Sequence, residues 1–140
     1  MTMQLLDRSN YLKGLLILIR KDNLITTEER DLVLECGVSL GFEKRFCETA
    51  IDELLENEYL LDTPPVFSNN DLAESFLKDA VKVALADKKM HLFELQWLIE
   101  TAALNNLPER IVDDLLRYYI SDNSIKADRE KMEYEKMMIE

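Results

Sequence analysis

Apolar side chains recur along this chain at helical spacing. Tyr11, Leu12, Leu15, Leu16 and Ile19 fall at i, i+1, i+4, i+5 and i+8, one face of a helix. Leu32, Val33, Cys36 and Leu40 form a second stripe, stopped by Gly41. Phe46, Cys47, Ala50, Ile51, Leu54 and Leu55 form a third, and Leu72, Phe76, Leu77, Ala80, Val81 and Ala84 a fourth. Leu95, Leu98 and Ala102 lie on a fifth helix. A sixth opens at Pro108, whose fixed φ and missing N–H suit a first turn, and carries Ile111, Val112, Leu115, Leu116 and Tyr119. No stretch alternates apolar and polar residues convincingly, as a half-buried strand would. Only three glycines and three prolines interrupt the helices. The pattern predicts an all-α protein.

Residues 61–70, "LDTPPVFSNN", break the periodicity with two prolines and polar turn formers, and read as a linker. The segments on either side align without a gap at an offset of 65 residues. That offset pairs Leu12 with Leu77, Asp22 with Asp87, Ile25 with Met90, Glu29 with Glu94, Val33 with Leu98, Arg45 with Arg110, and Phe46 with Ile111. The register of stripes and breaks predicts two pseudo-symmetric three-helix repeats, at about 8–60 and 71–121, within one domain over 1–121. The two units pack face to face on this reading, because neither alone buries a sufficient core.

Beyond 121 the chain is charge-rich and helix-prone. Ile125, Met132 and Ile139 recur every seven residues, with Met138 beside the last. So thin a seam does not hold a free helix in water. A helical tail over 122–140 is expected to dock on its own domain, or on a neighbouring copy to give a homodimer.

The 140 residues fit a single domain, and 47% hydrophobic with 32% charged residues is ordinary globular chemistry. A net charge of −11 leaves no basic stripe for nucleic acid or anionic lipid. It suits cations or basic protein partners. The longest apolar run, Leu15–Ile19, is too short to cross a bilayer, and no cleavable leader is visible. Cys36 and Cys47 sit within apolar stripes as buried free thiols, which fits a reducing cytoplasm.

Two short turns carry the candidate chemistry. "KDNLITTEE" at 21–29 and "ADKKMHLFE" at 86–94 each place an acid at the end of one helix and another at the start of the next. Thr26 and Glu29 fit a capping box, in which the hydroxyl caps the helix and the acid reaches back to the cap amide. His91 and Glu94 imitate it. Asp22 and Asp87 oppose the dipole of the helix they end, by about 0.3–1 kcal/mol, though an Asx turn gives them a local structural use.

Ala86, Asp87, Met90 and Glu94, with Asp22, Ile25 and Glu29, resemble the "A-D-G-x-apolar-x-x-x-E" turns of the tellurite-resistance TerB-like family. The N-terminal domains of certain DnaJ-like membrane co-chaperones are similar. The resemblance covers most of residues 8–120 and implies an all-helical domain of two related units. It also implies that Asp22, Glu29, Asp87 and Glu94 are metal ligands for a divalent cation such as calcium, magnesium or manganese, in a stress-response or sensing role. The family's turn glycine is Asn23 in one turn and Lys88 in the other, and Lys88 and Lys89 beside the second acidic pair imply weak binding. Neither turn has the oxygen-rich spacing of an EF-hand.

With His91 the only histidine, and with no phosphate loop or dinucleotide fingerprint, the chain is expected not to be an enzyme. At positions matching Glu28, Arg30 and Leu32, the second repeat carries Phe93, Leu95 and Trp97. That helix is either central and buried on several sides, or it presents Phe93 and Trp97 to an unidentified protein partner. Two functions remain in view: a cation-linked sensing domain, or an interaction module whose acidic turns are purely structural.

Overall fold

The computed structural model describes residues 4–20, 25–56, 63–86 and 90–121. Within them are six helices and no strand: α1 (Leu5–Arg20), α2 (Thr27–Ser39), α3 (Lys44–Glu56), α4 (Asn70–Ala84), α5 (Leu92–Leu104) and α6 (Ile111–Ser121). Asp22, Asp87, Lys88, Lys89 and the tail 122–140 lie outside the described residues.

α1 and α4 form the centre. Each packs on both of the helices that follow it and on the other. Close approach is possible because α1 carries Gly14 where it crosses α4. A Cβ there would lie 2.6 Å from the Phe76 ring and 2.9 Å from Pro65. Around this crossing, the rings of Tyr11, Phe67, Phe76 and Trp97 meet with centroids 5.2–6.1 Å apart, edge-on or tilted. From Leu72 to Ala84, α4 is covered on nearly all sides. The helix buried all round is therefore α4, whereas α5 keeps one open face.

The segment read as a linker is part of the core, with Pro64, Pro65 and Phe67 buried. The backbone there is held by side chains. The Asn105 amide donates to the Pro65 carbonyl at 2.9 Å, and its oxygen accepts the Phe67 amide at 2.9 Å. Asp7 accepts the Ser68 amide at 3.1 Å and hydroxyl at 2.7 Å. These bonds satisfy peptide groups that burial would otherwise leave costly.

Helix ends follow local chemistry. Asn69 caps α4 by accepting the Leu72 amide at 2.8 Å. α2 closes in a Schellman motif: Gly41 sits at φ 103°, Gly41 N–H donates to Val38, and Phe42 N–H donates to Gly37. α5 closes in the same way, with Asn106 at φ 57° and bonds from Asn106 to Ala103 and from Leu107 to Ala102. α6 begins three residues later than Pro108 suggested, after a turn over 108–110. Phe46 is 56% exposed despite its place in the third stripe, and stacks on Phe42 instead of entering the core. No helix among the described residues is long and apolar enough to cross a membrane.

Candidate functional site: the inter-helix turns and the outer face of α5

The acids that open α2 and α5 are engaged in the helix ends. Glu29 Oε1 accepts the Thr26 amide at 3.0 Å and the Thr26 hydroxyl at 3.1 Å, while the Thr26 oxygen accepts the Glu29 amide at 3.1 Å. Glu94 Oε1 accepts the His91 amide at 3.1 Å. Both carboxyl side chains are fully buried, at 0% exposure. The capping reading of the sequence thus has its bonds in place, and neither carboxylate faces solvent. Among the described residues, no three His, Cys, Asp or Glu side chains are grouped to hold a metal ion. Asp22 and Asp87, the other two candidate ligands, lie outside the described residues.

A buried polar cluster, not foreseen from the sequence, ties α1 to α4. The Tyr11 hydroxyl donates to Asp79 Oδ2 at 2.5 Å and lies 3.0 Å from Ser75 Oγ. Burial first, then the charge of Asp79, pushes the Tyr11 phenol well above its usual range, so it stays a donor. One turn on, Lys82 is 3% exposed and its ammonium stands 5.5 Å from the centre of the Tyr119 ring, a cation–π contact with α6. The cluster is enclosed by the helices it joins. Its arrangement is that of an internal fastening.

Cys36 and Cys47 are free thiols, both buried, as their place in the stripes suggested. Burial pushes the Cys47 thiol up, with Glu48 adding to the effect. A thiol held protonated is a poor nucleophile.

Phe93 and Trp97 part company. Phe93 is 63% exposed in the first turn of α5, but Trp97 is 2% exposed and packs edge-on against Phe76. The expected Phe93/Trp97 patch is corrected here: Trp97 sits where Leu32 sits in α2, on the flank that faces the centre. Around Phe93 the open face continues through Leu92 at 63%, Ile99 at 43% and Leu104 at 47% exposed, with Gln96, Glu100 and Ala103 between them. Only the type and spacing of these residues signalled them, and Leu92, Ile99 and Leu104 were not singled out from the sequence.

α2 provides a control within the same chain. It has the same length as α5, the same acid in its first turn and the same closing motif. Its residues 65 positions earlier are Thr27 and Glu28 for Leu92 and Phe93, Asp31 for Gln96, Leu34 and Glu35 for Ile99 and Glu100, and Val38 and Ser39 for Ala103 and Leu104. α2 thus shows solvent a mostly polar and charged surface in which Val38 is the one large apolar side chain exposed, and α5 a mostly apolar one broken by Gln96 and Glu100. Comparison with models of protein families, with curated proteins and with solved structures finds no match to this chain.

Proposed function

We propose that this protein is a non-catalytic, TerB-like interaction module that receives an apolar helix on the outer face of α5. The observation that carries the reading is the contrast between α5 and α2. Leu92, Phe93, Ile99 and Leu104 are all at least 43% exposed. Between them they leave a large share of their apolar surface outside the core, and exposed apolar surface gathered on one helix marks an interaction site. An amphipathic helix laid in such a place uses anchors at i, i+3, i+4 and i+7.

The same reading includes the repeat. It is supported by the matching bounds of α2 and α5, and by first-turn acids and positive-φ closures, at one offset of 65 residues. On this view, duplication supplied two copies of one frame, and the second helix of the second copy acquired the binding face. The cation-sensing alternative has less support, because Glu29 and Glu94 are both bonded to backbone amides of their own helix starts.

A photo-crosslinking residue placed at Phe93 tests the proposal against the same residue placed at Glu28. In cells that make the protein, the Phe93 site should give a discrete cross-linked species, diminished by Ile99→Asp, and the Glu28 site should not. Equal yields from both sites would defeat the reading.

A further inference from the structure

We propose that the helix received on the outer face of α5 carries an arginine among its apolar residues, and that this arginine pairs with Glu100. The inference rests on the interaction reading above and names the chemistry of the partner. At about 100° of turn per residue, Leu92 and Ile99 fall on one side of the exposed face, and Phe93 and Leu104 on the other. Gln96 and Glu100 lie between the two rows. Glu100 is exposed, and among the described residues its carboxylate makes no ion pair and no hydrogen bond.

α2 holds an acid at the same place, Glu35. One or two turns away on its face stand Glu28, Asp31 and Ser39, so that acid belongs to a polar surface. The equivalents around Glu100 are Phe93, Gln96 and Leu104. A helix that covers Phe93 and Leu104 therefore covers Glu100 as well. Taking a carboxylate out of water without a counter-charge is strongly unfavourable, so the occupant that fits this face brings a cation to it. Arginine suits the place better than lysine. Its guanidinium is always charged, is more weakly hydrated, and bonds both carboxylate oxygens at once. A second copy of this chain does not meet the need. A two-fold contact sets one patch against itself, and Leu92–Leu104 contains no Lys or Arg. Arg110 and Arg117, before and within α6, are each bonded to an aspartate, Asp114 at 3.3 Å and Asp113 at 3.0 Å. The net charge of −11 also draws a basic helix in and disfavours a like chain.

The test uses the full chain with the photo-crosslinking residue at Phe93, in cells that make the protein, and reads the captured peptide by mass spectrometry. That peptide should hold an arginine with apolar residues three or four positions to either side. Glu100→Gln should lower the cross-linked yield at least about tenfold, equivalent to about 1.4 kcal/mol. Glu100→Leu should lower it too, although it makes the face more apolar, because the arginine is then left without its carboxylate. Glu35→Gln on α2 should leave the yield unchanged. Glu in place of the captured arginine should abolish the cross-link, and Glu100→Arg should restore it. Circular dichroism of every variant should match wild type, since Glu100 is exposed. A yield that holds or rises with Glu100→Leu marks a purely apolar contact and would overturn the proposal. So would a captured peptide without arginine, or one from this chain itself, within a copy or between two. If any of these is found while Phe93 still cross-links and Glu28 does not, the interaction face stands and only its charged anchor fails. If Phe93 gives no cross-link, both fail.

Discussion

Replacing Tyr11 by Phe removes one oxygen from the centre of the protein and little else. The ring keeps its edge-on contacts with Phe67 at 5.7 Å and Phe76 at 5.3 Å, so no cavity opens. What is lost is the donor to Asp79 Oδ2 at 2.5 Å and the contact with Ser75 at 3.0 Å. Depriving a buried acceptor of its donor costs about 1–3 kcal/mol. For a chain of this size that lowers the melting temperature by roughly 5–10 °C.

The pH dependence identifies the cause. The folded phenol is raised well above its usual range by burial and by Asp79, whereas in the unfolded chain it ionises near pH ~10. Below that pH both states hold the proton, and the stabilisation is fully present. Above it the unfolded state loses the proton first, so wild-type stability falls, by at most about 1.4 kcal/mol per pH unit. Phe does not titrate. In urea denaturation from pH 7 to 11, the gap between wild type and Tyr11→Phe should therefore hold constant to about pH 10 and then narrow. A variant as stable as wild type, or a gap that stays constant to pH 11, would refute the assignment of Tyr11 as the fastening between α1 and α4.

Other outcomes follow from the same contacts. Gly14→Ala gains about 1 kcal/mol of helix propensity but drives a methyl within 2.6 Å of Phe76, which is walled in by other rings. Overpacking costs about 1–3 kcal/mol, so calorimetry should show a net loss of stability. Cys36 and Cys47 should resist a thiol reagent in the native protein and react once urea unfolds it, and fast labelling of either before unfolding would contradict their burial. Millimolar calcium, magnesium or manganese should leave the melting curve in place. A rise that Asp22→Asn with Asp87→Asn abolishes would restore the cation reading, worth about 2.7 kcal/mol at a hundredfold excess over Kd.

The parts of the fold legible in the sequence are those set by local chemistry. The six helices follow from apolar periodicity, and the start of α2 follows from the pairing of Thr26 with Glu29. Gly41 marks the end of α2 because glycine is the usual residue at positive φ. Asn106 performs the same task at the end of α5, but asparagine serves in too many turns to be read so directly. Non-local matters were not legible. Asp79 and Lys82 stand off the apolar stripe of α4, yet α4 is covered on those sides too by α1 and α6. Burial and exposure both stayed open for Trp97 in the sequence, because nothing local reveals that Phe76 offers its ring a place. Pro64, Pro65 and Phe67 read only as part of a linker, because the Asn105 bonds that make their burial tolerable come from some 40 residues further along.

The comparison of α2 with α5 separates what the fold requires from what it merely permits. The buried flanks match in kind: Val33 and Leu98, Glu29 and Glu94, Gly37 and Ala102 all face inward. The outer flanks do not match, and stability alone does not explain the difference. Glu28 in the first turn of α2 favours the helix dipole by about 0.3–1 kcal/mol, and Phe93 in the equivalent turn of α5 gives that up. An exposed Phe, Leu and Ile on one helix also invite association with other chains. Since α2 shows that a mostly polar surface satisfies the same frame, the apolar choice on α5 is the ground for the proposed contact outside the six-helix core. The acids Glu29 and Glu94, alike in both turns, belong to the frame. Leu92, Phe93 and Leu104, which replace Thr27, Glu28 and Ser39, are the residues on which the proposed difference in function rests.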